Sequence, residues 1–200
     1  NKPDIAGNKN IKQCVEIYQE MVNKHVLAVV NSWDEYIATF TSGKTAGVMN
    51  GCWILASVQT ATDQSGKWGL TNMPKLPGVS TATNYSNQGG STWAITTNCK
   101  NTKLAEDFLA KTFAGSKELY DTILPSSGAL STWLPASESD VYNEPQAFFD
   151  GQIIYKDITE FASKTPSVNL GVYYTEANTA LATVVANVTG GADIDTELNT

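Results

Sequence analysis

The alternation of apolar and polar positions gives the first reading of this chain. Ile11, Cys14, Val15, Tyr18, Met21 and Val22 recur at helical spacing behind an Asn-rich start that can cap the first free amides, which predicts an amphipathic helix. His25 is expected in the last turn of that helix, where a cation suits the dipole. Ser32 and Glu35 form a capping box, after which Trp33, Tyr36, Ile37 and Phe40 share one face until Gly43. Trp33 is expected in the core. Thr45 to Met49 reads as a short strand, Asn50-Gly51 as a sharp turn, and Cys52 to Val58 as an apolar run too continuous for a strand, hence a buried helix.

"KWGLTNMPKLPG" reads as a short strand entering a Pro-punctuated loop, and "VSTATNYSNQGG" as a mobile or ligand-facing stretch with little to bury. Gly89-Gly90 opens a second strand, "STWAITT", with Trp93 and Ile95 on one face. Leu104, Ala105, Phe108, Leu109 and Phe113 mark a helix behind Asn101 and Thr102. Ser116 caps the next, which carries Leu119, Tyr120, Ile123 and Leu124 and is expected to stop at Pro125. "PSSGALSTWLPASESD" is expected as loop, a further helix precedes Pro166, and Ala177, Leu181, Val184, Val185 and Val188 mark a last one, ended by Gly190-Gly191. Helices outnumber short strands, which predicts an α/β chain.

Composition narrows the chemistry. At 200 residues with 42% hydrophobic and only 16% charged positions, the chain can build a sizeable core. The net charge is −7 and every cationic side chain is Lys, with no Arg. Arg is the usual fork for phosphate and carboxylate, and a nucleic-acid backbone needs a basic face, so nucleic acid and polyanions are poor partners for this chain. With one His in all, triads needing His beside Ser or Cys have a single candidate, His25, which nothing singles out. Cys14, Cys52 and Cys99 show neither metal spacing nor a disulfide framework, and at most one bridge is expected. No metal and no cofactor are expected. No apolar run approaches a membrane span, and "NKPDIAGNKN" does not read as a signal peptide, so any export signal is expected to be removed or never present.

Five segments stand in order between residues 40 and 128: "FTSGKTAGVMNGCWILA", "GKWGLTNMPKLPG", "GGSTWAI", "NTKLAEDFLAKTF" and "LPSSG". Together they resemble the second half of the extracellular solute-binding proteins (family 1) of sugar-importing ABC transporters. The resemblance implies an α/β fold of the periplasmic-binding-protein-like type II, mainly its C-terminal lobe, helix-rich with short strands, and a truncated chain without the usual N-terminal strands and helices. It further implies that residues 1–89 build the main part of the C-terminal lobe. Residues 90–135 are the inter-lobe crossing segment that packs on the N-terminal lobe, and 136–200 return to the C-terminal lobe and end in the last helix. Without that other lobe, the apolar faces of the crossing segment, including Phe108 and Leu109, are expected to lack partners and to rearrange, self-associate or order poorly.

A pyranose offers an apolar C–H face and a rim of hydroxyls, so its sites pair a flat aromatic with amide, hydroxyl and carboxylate groups. Composition alone would place Trp53, inside an apolar run, in a core. The resemblance implies instead that Trp53 stacks on the sugar, because the aromatic after "MNG" is where relatives do so. Gly90 and Ser91 fall at the crossing, where a bare backbone and a small hydroxyl can reach sugar oxygens, although a plain strand start explains them as well. Trp93 stands next to them, and its strand parity points to the core. Tyr174 and Glu176, at the start of the last helix, lie near further ligand contacts of relatives, while Glu176 equally suits the helix dipole.

The function implied is extracytoplasmic capture of a neutral sugar or oligosaccharide and its delivery to an ABC transporter permease. Membrane contact would come only through a lipid anchor on the intact protein, and no catalytic step is involved. The alternative is a glycan-degrading enzyme or an accessory carbohydrate-binding module. Asp34 with Glu35, Glu138 with Asp140 and Asp157 with Glu160 are the close carboxylate pairs, each explained by capping or a solvated face. "SGKTAG" lacks the spacing of a phosphate loop and follows a helix where a strand is needed.

Overall fold

The computed structural model describes residues 4–87, 90–168 and 170–199. Among the described residues, eight α-helices run in the order α1 Lys9–Asn23, α2 Trp33–Thr41, α3 Leu55–Val58, α4 Thr102–Lys111, α5 Lys117–Ser127, α6 Ile154–Ser163, α7 Tyr174–Thr189 and α8 Ile194–Leu198. Among the described residues there is no β-ladder beyond an isolated antiparallel bridge between Gln146 and Gln152. The short strands expected at Thr45–Met49, at the start of "KWGLTNMPKLPG" and at Ser91–Thr97 are therefore corrected: these segments lie outside helices and join no β-ladder. A strand is defined by a neighbour that takes its N–H and C=O groups, so side-chain alternation alone cannot make one. Of the Gly89-Gly90 pair expected to open the strand at Ser91–Thr97, Gly89 lies outside the described residues.

The chain divides into two units, 1–36 with 75–83 and 167–200, and 37–74 with 84–166. In the first, α1 packs with α7 and α8 around Val15, Val184, Val188 and Leu198, with Ile11, Leu181 and Ile194 at the edge of the cluster. The Asn8 carboxamide caps α1 by accepting from the amides of Asn10 and Ile11 at 3.0 and 3.2 Å. Asp193 caps α8, a short helix that the apolar pattern did not announce, by accepting from Thr196 N–H at 2.8 Å. His25 is corrected from the last turn of α1 to the residue beyond its C-cap Lys24, in the left-handed region at φ 56°. The capping box at α2 forms as expected, with Glu35 N–H on Ser32 Oγ at 3.2 Å and Glu35 Oε2 taking the Asn31 amide at 2.8 Å. Trp33 is not core: half of it is exposed, and its ring lies 5.2 Å from that of Tyr36. Being the first residue of its helix, it has no preceding turn to cover it.

In the second unit Leu55, Leu124, Val141, Tyr142, Phe149, Ile154 and Tyr155 form one cluster, edged by Cys52, Trp68, Leu70 and Leu130. Gln64 ties the end of α2 to this unit: its Nε2 donates to the carbonyls of Phe40 and Thr41 at 3.0 and 2.9 Å, and its Oε1 accepts from the Trp68 indole at 2.7 Å. Asn101 and Ser116 cap α4 and α5, accepting from Leu104 and Leu119 N–H at 3.0 and 3.1 Å. The stop expected at Pro125 is corrected, because α5 runs through it to Ser127 and closes on left-handed Gly128. One missing N–H so near the end costs little, and the hydroxyls of Ser126 and Ser127 turn back onto the Ile123 carbonyl at 3.2 and 2.6 Å. The loop expected over 125–140 instead holds that last turn of α5 and a 3-10 turn at Leu134–Glu138.

Partners for the 90–135 segment differ along its length. Helix α4 has no buried residue, and Leu104 and Phe108 are both largely exposed. Helix α5 is different, since Tyr120 and Leu124 are buried in the second unit's core. The segment is thus packed at α5, while Phe108, one of the residues expected to lack partners, stays largely exposed on α4. The stretch expected to be mobile or ligand-facing is hydrogen-bonded at its centre: Met73 N–H donates to the Asn84 carbonyl at 3.1 Å and Asn84 Nδ2 to the Met73 carbonyl at 2.8 Å. Tyr85 packs beside Phe161, with the Lys164 ammonium 5.4 Å from its ring centre.

Candidate functional site

Trp53 is built into a one-turn reversal. Ile54 N–H closes on the Gly51 carbonyl at 3.1 Å, opening the 3-10 turn Cys52–Ile54 that runs straight into α3. Ile54, Leu55 and Val58 from this run are buried, so the expected helix holds. The indole is the member of the run that stays out, at 49% exposure. The reason is angular: in a tight turn, consecutive side chains point in different directions, and Ile54 and Leu55 take the inward ones.

The turn expected at Asn50-Gly51 is corrected. Gly51 is extended, at φ −70° and ψ 164°, and the reversal begins one residue later. Its N–H donates to the neighbouring Asn50 Oδ1 at 2.7 Å, so that amide side chain lies along the backbone leading to Trp53. On the other side, Gly128 at the end of α5 sits against the Cys52–Trp53 backbone. The motifs "MNGCW" and "LPSSG", far apart in sequence, thus meet at one place. Cys52 turns its side chain toward the core beside Leu130. Burial pushes the Cys52 thiol above its ordinary value, with the Leu130 backbone partly offsetting the effect. Cys14, Cys52 and Cys99 are all free thiols.

Gly90 and Ser91 are exposed, and Gly90 has φ 116°, with nothing within 4 Å of where a Cβ would stand. Trp93 is corrected from the core: it is 68% exposed and meets the Phe113 ring at 4.7 Å. It lines a shallow apolar groove of about 300 Å³ with Ile95, Cys99, Phe108 and Leu109. A wider basin of about 540 Å³ lies over Trp68, Lys67, Asp150 and Gln152. Both belong to the second unit. Tyr174 and Glu176 stand in the first unit, on the opening turn of α7, where both are exposed. No side chain caps α7, which leaves Glu176 the acidic group of its first turn.

An exposed indole beside an amide offers an apolar plate with a polar edge, which suits a ligand that is apolar on one face and hydroxylated around its rim. Among the described residues, no group of three His, Cys, Asp or Glu is placed to hold a metal ion. No helix among them is long and apolar enough to cross a membrane.

Residues 1–149 match the family described as bacterial extracellular solute-binding protein. The chain belongs to that family. It is also similar to a protein of Rhizobium radiobacter named lactose-binding protein, with 33% identity over 192 residues. That match covers 96% of this chain and 45% of the relative, so the chain spans about half the length of the curated protein it matches.

Proposed function

We propose that this chain supplies one sugar-facing part of an extracytoplasmic binding protein, which captures a neutral sugar or oligosaccharide and passes it to an ABC transporter permease without a catalytic step. The observation that carries this reading is Trp53, held half open within a run whose neighbours Ile54 and Leu55 are buried. The family match supports an extracytoplasmic role, and the name of the lactose-binding relative makes a galactoside the first ligand to try.

In this reading residues 1–89 form the main part of a C-terminal lobe, 90–135 cross to pack on an N-terminal lobe, and 136–200 return. The open apolar stripe of Leu104 and Phe108 next to Trp93 supports such packing. Gly90, Ser91 and Trp93 join Trp53 as ligand-facing residues of the second unit, with the Gly90 backbone and the Ser91 hydroxyl directed at sugar oxygens, and Tyr174 and Glu176 are ligand-facing residues of the first unit. A lipid anchor on the intact protein would hold it at the membrane.

The test is a titration of lactose and a panel of neutral oligosaccharides into the full-length protein, followed by tryptophan emission and by analysis of the sugar afterwards. Saturable binding with the sugar recovered intact is expected. Trp53→Ala should weaken it by about 2 kcal/mol or more, roughly thirtyfold. Release of smaller sugars, or unchanged affinity in Trp53→Ala, would overturn the reading.

A further inference from the structure

We propose that Gly51 and Gly128 are positioning residues for the Trp53 indole, two sites without side chains that together set the height and tilt of the stacking surface. The proposal rests on the stacking reading of Trp53 given above.

Gly51 is the sharper case. Its backbone, at φ −70° and ψ 164°, is one that any residue adopts, so the chain path does not call for glycine. The indole does. A Cβ at position 51 would lie 2.8 Å from Trp53 Nε1 and 2.9 Å from Cδ1, with Cε2 next at 3.9 Å. The pyrrole edge therefore rests on the bare α-carbon, and the six-membered ring extends away from it. Because the ring is rigid, a single methyl group at 51 must lift that edge and swing the whole plane.

Gly128 fixes the other end. A Cβ there would stand 2.7 Å from the Cys52 carbonyl oxygen, a backbone atom that cannot step aside as a flexible side chain would, with Trp53 Cα next to it in ordinary contact at 3.5 Å. It is also left-handed at φ 65°, so glycine is required for conformation as well as for space. Behind it, α5 is anchored by Leu124, which has no exposed surface, and Cys52 points into the same core. The Trp53 backbone is thus set by a packed helix end, and its ring leans on Gly51. A plate that must match a sugar ring tolerates only small errors in placement, and these two contacts supply the support.

A double-mutant cycle in the full-length protein labelled with 5-fluorotryptophan tests this. The fluorine resonance of Trp53 is assigned by its loss in Trp53→Phe. In Gly51→Ala that resonance is expected to move while those of the other tryptophans hold. Lactose affinity is expected to fall about tenfold or more. In a Trp53→Ala background, Gly51→Ala is expected to change neither affinity nor melting temperature, because the contact that demands glycine has gone. An unmoved Trp53 resonance, or an equal loss in both backgrounds, overturns the role of Gly51. For Gly128 the comparison is Ala with Asn, since Asn tolerates the left-handed region yet still carries a Cβ. Displacement of the Trp53 resonance in both variants supports the contact. Its return to the native position in Gly128→Asn shows that only φ mattered and overturns it. Unchanged lactose binding in Trp53→Ala would sink the stacking reading alone, and the fluorine resonance would still decide the positioning.

Discussion

The side-chain amide of Gln152 grips the backbone of Leu70 at both of its polar groups. Oε1 accepts from Leu70 N–H at 2.7 Å, and Nε2 donates to the Leu70 carbonyl at 2.7 Å and to Asp157 Oδ2 at 2.8 Å. This is the pair of bonds a neighbouring strand would make, supplied by one side chain from 82 residues away.

Gln152→Ala should accordingly lower stability by about 2 kcal/mol, since it leaves two half-buried backbone groups without partners. Urea unfolding measures this. Gln152→Glu should be at least as harmful at neutral pH, because it replaces the donor with an oxygen facing both the Leu70 carbonyl and the Asp157 carboxylate.

Leu124 and Leu104 test the opposite character of α5 and α4. With no exposed surface, Leu124→Ala should cost about 2–5 kcal/mol. Leu104→Ala, largely exposed and in a helix that favours alanine, should stay within about 0.5 kcal/mol. Denaturation midpoints of the two variants decide it, and similar losses would contradict the burial described for these helices.

Asp193 makes α8 acid-sensitive. The Thr196 hydroxyl and then its backbone N–H bond to the Asp193 carboxylate and hold it below the ordinary aspartate value. A carboxyl depressed by folding contributes stability that is fully present above the unfolded value, near 3.9, and is lost as pH falls through the folded one. Amide protection over residues 194–198, taken relative to unprotected amides at the same pH, should therefore fall as the solution is acidified through that range. Asp193→Asn keeps an oxygen at the cap but cannot titrate, so it should abolish the acid step.

The cysteines should separate by reactivity. Cys14 is exposed, whereas Cys52 is turned toward the core with its thiol pushed up by burial. Under mildly alkaline iodoacetamide, peptide mapping is expected to find Cys14 modified first and Cys52 last. Early loss of Cys52 would contradict the docking of its turn against α5.

Much of the helical framework was legible from the chain alone. The caps at Asn8, Ser32, Asn101 and Ser116 and the periodic apolar faces behind them are local features, and local hydrogen bonds settle where such helices begin. The motif order also pointed correctly to the family. The strands, Trp33, Trp93, Pro125 and the Asn50-Gly51 corner were read wrongly, each for a reason that side-chain periodicity does not carry. A strand needs a partner, a Trp needs a surface to cover it, and whether Pro ends a helix depends on how few bonds remain beyond it.

What the sequence determined by itself is the set of helices, the apolar residues available for a core, and a ligand chemistry in which Lys is the sole strong cation. Only the tertiary structure decided that Trp53 faces outward while Ile54 and Leu55 face inward, and that glycine is needed at 51 to make room for the indole. Periodicity records which residues can be buried. The direction in which a tight turn sends each side chain, and what lies within reach of it, depends on segments such as "LPSSG" that arrive from elsewhere in the chain.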